Sequence, residues 1–353
     1  MIGEIIAILA VLTFVGSNVI FRKTEHEASP VFINFMRTAI GTITFIISAI
    51  FLGIFSLIFS LPWDLWVILF LSFLFGQVIG DTSYFTAQKI LGTTIAIAIS
   101  MTFPLFTFIL SLIFLHRPFE IYMLISIILI GIGIMIIGNS KIKSTKSLPL
   151  KDEESKSNTI NNNATFSRNI VKGIIYGIIA SLGWAIGLVI IDYATNRINS
   201  LLHLEQNSSI IGNVIRFPFA LAILAVMAFR ENSVYRRLNK GTAQKRSKET
   251  WFLLIIASII GTSLGAYLYT EAARTAGANI MSLIATSSPL FALPLTYWVN
   301  KEKITKFGFI GVIVTIIGVL VILIEFWYMR IILTIIGGII ILIELLIVLF
   351  KKF

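Results

Sequence analysis

The chain has 353 residues, 57% of them hydrophobic and only 13% charged, where a soluble chain carries about 25% charge, so a soluble globular domain is excluded. There is no cysteine, which excludes disulfides and thiolate metal sites. The formal net charge of +11 is read as basic loops on the cytoplasmic side of a bilayer rather than as a nucleic-acid surface.

Apolar runs recur along the whole length, at about 4–21, 31–58, 63–86, 93–115, 119–138, 171–191, 208–229, 251–272, 277–299, 307–325 and 331–350. They are continuous rather than alternating, so each predicts a membrane-spanning helix and not a barrel strand. The expected fold is therefore all-α integral membrane, with about eleven helices. The first run follows Glu4 with no basic stretch before it, so it is read as a retained helix. Segments one to five form a first module, residues 1–140. Residues 141–169 are polar, include Asn161, Asn162 and Asn163, and read as a linker. Segments six to ten form a second module, residues 170–328, and 329–353 is an extra C-terminal helix carrying the lone acid Glu344.

The two modules are copies. Gly76 to Phe106 aligns without gaps on Gly261 to Phe291, a shift of 185 residues. Gly76, Gly80, Tyr84, Ala87, Gly92, Ile95, Pro104, Leu105 and Phe106 all recur, as Gly261, Gly265, Tyr269, Ala272, Gly277, Ile280, Pro289, Leu290 and Phe291. The glycines are read as places where helix backbones approach closely. Asn34 and Arg37 in segment two are echoed by Asn213 and Arg216 in segment seven. Five is odd, so the second module lies upside down relative to the first. That is the inverted-repeat plan by which a midplane site is exposed to one face and then the other. Of the 28 lysines and arginines, 22 fall in loops on one side, four on the other, and Arg37 and Arg216 lie within helices. The imbalance predicts a multi-pass cell-membrane protein with its N-terminus outside and its C-terminus cytoplasmic.

Ionisable groups inside membrane helices are costly unless paired or wetted, which makes them candidates for function. Arg37 and Asp81 are at similar depth, so an Arg37–Asp81 pair is expected; Arg216 and Glu271 share a face in the second module, where Asp81 maps onto Ala266. Snorkelling of either arginine to head groups is the competing reading. Asn18, Gln77, Tyr84, Trp184 and Tyr269 are candidate polar or aromatic walls of a solute cavity. Pro104 and Pro289 are expected to kink segments four and nine near the midplane. No phosphate loop or HExxH occurs, and His26, His116 and His203 are far apart, so neither a catalytic nor a metal site is expected, and no cofactor.

Taken together these residues resemble the drug/metabolite transporter superfamily, specifically its EamA-type transporters. The features that carry the resemblance are Gly16-Ser17-Asn18, Arg37 and Arg216, the Tyr–Ala–Gly–Pro-Leu-Phe pattern of both copies, and Asn300-Lys301-Glu302-Lys303 before segment ten. His116-Arg117-Pro118 stands where an acidic turn is usual, helix eleven is extra, and family members usually begin in the cytoplasm. The resemblance implies a basket of segments one to four and six to nine around a central cavity, with five and ten outside. It also implies secondary transport of a small organic metabolite by alternating access, the partners being the lipid bilayer and the solute. Proton coupling through Asp81 or Glu271, and a homodimer, stay open. A membrane-embedded lipid-modifying enzyme and a non-transporting scaffold are the alternative readings.

Overall fold

The computed structural model describes residues 2–115, scattered positions between 125 and 136, and residues 156–238, 246–301 and 306–322. Among the described residues helix is the regular structure: twelve α-helices, a 3-10 helix at Phe55–Ser60 and two π-helical stretches, joined by short turns. Six helical stretches among the described residues are long and apolar enough to cross a membrane: Ile2–Thr24, Pro30–Phe51, Trp63–Leu91, Asn169–Leu202, Asn207–Val234 and Lys248–Ala285. The protein is a multi-pass membrane protein. Most of segment five, all of segment eleven with Glu344, and His116-Arg117-Pro118 lie outside the described residues.

Helix α1 is Ile2–Thr24 and α2 is Pro30–Phe51. The sequence starts α2 decisively. Ser29 caps it by accepting from the Phe32 amide at 3.1 Å, and Pro30 occupies the first turn, where no amide proton is needed. Segment three is not one regular helix. It runs as α3, Trp63–Phe73, loosens into π-helix over Leu74–Asp81, and resumes as α4, Thr82–Leu91. Segment four is divided into α5, Thr93–Ser100, and α6, Phe103–Phe114. Helices α7, Lys156–Leu202, and α8, Asn207–Leu238, follow. Then come α9, Lys248–Ser258, a second π stretch, Ile259–Leu264, and α10, Gly265–Ala285, and finally α11, Ser288–Asn300, and α12, Lys306–Ile322.

The irregularities recur at the sequence shift. The π stretches begin at Leu74 and Ile259. Gly92 and Gly277 adopt nearly identical conformations, φ 85°, ψ 161° and φ 87°, ψ 158°. Only glycine is at ease there, so these two glycines serve the turn itself rather than a close helix approach. The turns at Met101–Thr102 and Thr286–Ser287 are likewise 185 apart. Each interrupts a span that the sequence reads as one kinked helix. Pro104 and Pro289 then sit in the first turns of α6 and α11, where a missing amide proton costs nothing. The prolines thus follow a break instead of bending a continuous helix. Pro218, which the sequence reading passed over, is inside α8.

Helix α7 is much longer than the run 171–191. The polar residues beyond Ile191 do not stop it. Asn196 Nδ2 bonds Asp192 Oδ1 at 2.9 Å one turn back, and Arg197 pairs with Asp64 at the start of α3. At its other end α7 is already helical from Lys156, inside the stretch read as linker.

Opposite ends of the bundle gather different loops. On one face Ser247 bonds Glu27, Ser29 bonds Glu231, Arg22 donates to the Gln88 carbonyl at 3.0 Å and Asn300 to that of Val19 at 3.1 Å. On the other, Asp64 meets Arg197, Ser209 meets Glu271, and Asp192 accepts from the Ala278 amide at 2.8 Å. Between the faces the halves interleave: α1 packs on α10, α2 on α8, and the π stretch with α4 on α7.

Candidate functional site: a central cavity with buried charged side chains

The interleaving is made possible by small residues. A Cβ added at Gly187 would come within 3.0 Å of Gly76 Cα and of the Ser72 carbonyl, and one at Gly183 within 2.6 Å of the Phe75 carbonyl. Gly76-x3-Gly80 and Gly183-x3-Gly187 therefore bring the Trp63–Leu91 span and α7 to backbone contact. The second copy does the same with a different partner. Gly261 lies against Ser17 and Gly265 against Thr13, both on α1; a Cβ at Gly265 would be 2.8 Å from Thr13 Oγ1. In each half, then, the glycine pair packs against the opening span of the other half.

Where these spans meet they line a partly open cavity of about 120 Å³. Its wall is drawn from α1, α2, the Trp63–Leu91 span, the turn at Met101, α6, α7, α8, the second π stretch, α10 and α11. Six of the nine residues marked in the sequence line it: Arg37, Gln77, Asp81, Trp184, Arg216 and Tyr269.

Asp81 lies at the end of the first π stretch, and both of its oxygens are used. Oδ2 is 3.3 Å from Arg37 Nη1, and Oδ1 accepts from Trp184 Nε1 at 2.7 Å. Arg37 in turn donates from Nε to Thr262 Oγ1 at 2.9 Å, so one arginine ties α2 to both π stretches. Phe85 and Phe21 flank its guanidinium, with ring centres at 5.5 and 6.0 Å. Both members of the pair are under a tenth exposed. Gln77 continues the network, donating to Thr38 Oγ1 at 2.8 Å. Trp184 is clamped by Tyr84, Phe14 and Phe103, with ring centres 5.2, 5.6 and 6.1 Å away. The absence of a side chain at Gly80 lets the indole reach Asp81: a Cβ there would be 2.8 Å from Trp184 Cδ1.

Arg216 enters from the other face. It donates to Asn213 Oδ1 at 3.2 Å on its own helix and lies 4.4 Å from the Phe73 ring centre. Glu271, which matched it in depth, is turned elsewhere. It accepts from Arg274 and from Ser209 Oγ at 2.7 Å, forming part of the closure at that end.

Asn18 and Tyr84 are also placed outside the cavity wall. Asn18 Nδ2 bonds the Phe14 carbonyl of its own helix at 2.8 Å, and the Tyr84 hydroxyl donates to Gln88 at 2.7 Å behind Trp184. The repeat equates Tyr84 with Tyr269, yet only Tyr269 faces the cavity. Thr262 and Phe73 were missed by the sequence reading; a Thr and a Phe in apolar runs carry no signal of their own.

The family model of the EamA-like transporter family matches residues 1–139 and again residues 171–324. The chain belongs to the EamA-like transporter family. An "uncharacterized transporter" of Archaeoglobus fulgidus is 24% identical over 328 residues, a match covering 92% of this chain and 99% of that one. Among solved structures, one known only as "Crystal structure of protein" superposes with a TM-score of 0.58 at 14% identity, covering 92% of this chain and 96% of its own. That likeness concerns the fold. An EamA-like chain with this cavity is a membrane transporter.

Proposed function

We propose that this protein is a secondary transporter that moves a small organic metabolite through the central cavity by alternating access, without enzymatic chemistry. The observation that carries the reading is the Arg37–Asp81 pair, buried in a cavity whose wall comes from both halves. Ion pairs in apolar spans are expensive to maintain, and a solute pathway gives this one a use. We further read residues 1–140 and 170–328 as inverted five-helix repeats joined by the 141–169 linker. Support comes from the π stretches, glycine turns and helix breaks that recur 185 residues apart. The closures at the two ends, around Glu25 and Gln88 on one side and Glu271 and Arg274 on the other, are suited to open in turn. Asp81 is the candidate proton carrier, since protonation would remove the charge that pairs with Arg37. The 329–353 segment is read as an eleventh helix.

The test is counterflow of radiolabelled metabolites in proteoliposomes. Exchange by the wild type, abolished in Asp81→Asn at equal incorporation, is the expected result. Unchanged exchange in that variant would remove Asp81 from the mechanism. Tags before residue 1 and within the linker should be reached from opposite sides of the membrane.

A further inference from the structure

The central cavity is not balanced in charge. Of its described lining residues, Arg37, Asp81 and Arg216 are the acidic and basic side chains, which leaves one positive charge in surplus even with Asp81 ionised. Asp81 carries one negative charge, and Arg37 is the cation in contact with it, with Trp184 on its other oxygen. Glu271, which the sequence places near the same membrane face as Arg216, is engaged by Arg274 and Ser209.

Arg216 is only 6% exposed and has no carboxylate in contact among the described residues. Its Nη1 reaches neutral acceptors alone, Asn213 Oδ1 at 3.2 Å and Thr270 Oγ1 at 3.4 Å, and its Nε has no acceptor. Asn213 Nδ2, one turn away, is a second buried donor without an acceptor. Two orphaned donors beside a buried cation are a deficit of negative charge and of acceptors, and a buried charge in that state is costly unless something arrives to pair it. The repeat identifies what is missing. Arg37 has Asp81 as its partner; the position 185 residues after Asp81 is Ala266, and Ala266 lines the cavity.

We propose that the solute supplies the absent acid: Arg216 docks an oxyanionic group, and the transported class is small organic anions bearing a carboxylate or a phosphate. This rests on the transporter reading and narrows it. Guanidinium is suited to the task because its charge persists at any physiological pH and its planar donors match an oxyanion.

Thermal stabilisation of the purified full-length protein in detergent tests the assignment. Lactate and glycerol 3-phosphate are each titrated beside an uncharged counterpart, lactamide and glycerol. At least one anion should stabilise the wild type, with its counterpart inert, and the arm that responds distinguishes carboxylate from phosphate. Arg216→Gln should weaken binding about 10- to 100-fold, the range of a lost charge-assisted contact, and Arg216→Lys should retain part of it. Ala266→Asp keeps Arg216 but gives it an internal carboxylate, so it should lose the anion without losing the fold. Equal stabilisation of wild type and variants, an adventitious ion only, would overturn the proposal, as would a wild type indifferent to both anions. Counterflow of a neutral or cationic solute would in that case leave the transporter reading standing. Anion binding at Arg216 with no exchange of any solute would do the reverse.

Discussion

Asp81 is held by two donors from different parts of the chain, and each can be removed separately. Trp184→Phe keeps the ring among Tyr84, Phe14 and Phe103 but withdraws the indole N–H from Asp81. A buried carboxylate oxygen left without its donor costs about 1–3 kcal/mol, so the variant should melt earlier than wild type and exchange solute more slowly, as read by thermal unfolding and counterflow. Depth along the helices made the Arg37–Asp81 pair legible in sequence, because charge in an apolar run is conspicuous and only a few such groups exist. The Trp184 bond was not legible. It depends on the crossing of α7 against the first π stretch, which no local pattern of Trp184 encodes. The same limit explains Glu271. Depth matched it to Arg216, but Arg274 is one turn away on its own helix and captures it.

At the level of the helices, the glycines divide into two kinds that the sequence does not separate. Gly76, Gly80, Gly183 and Gly187 are small because another backbone or an indole is there; Gly92 and Gly277 are glycine because their φ values of 85° and 87° exclude side chains. Gly183→Ala would push a methyl group into the Phe75 carbonyl, which cannot swing aside as a side chain would, and should destabilise by about 1–3 kcal/mol. Gly277→Ala should cost a similar amount, about 1–3 kcal/mol, through backbone strain alone. Gly16→Ala, where a Cβ meets nothing within 4 Å, should leave the melting temperature unchanged in the same assay. The prolines show the complementary failure. Pro104 and Pro289 announce an irregularity, and the sequence locates it to within a few residues. Whether the helix bends or stops there is decided by the turns at Met101–Thr102 and Thr286–Ser287.

For the molecule as a whole, the membrane class and a duplicated pattern were readable from apolar runs and a single alignment of the chain on itself. How the halves embrace was not, since helix-to-helix partners are chosen by surface relief rather than by periodicity. The absence of cysteine makes sidedness testable without background. His26→Cys and His203→Cys, at opposite ends of the bundle, should react with a membrane-impermeant maleimide from opposite sides of a sealed vesicle. The surplus positive charge at Arg216 has an electrical consequence. A carrier whose vacant pocket bears one positive charge and whose filled pocket, holding a monoanion, bears none would feel the voltage only on the empty return. Each 100 mV would then bias that half of the cycle by about 2.3 kcal/mol per charge. In a cell with a negative interior, such a cycle would be biased outward, toward expelling anions. A potassium diffusion potential imposed with valinomycin on proteoliposomes should accelerate anion exit when the lumen is negative and retard it when the sign is reversed.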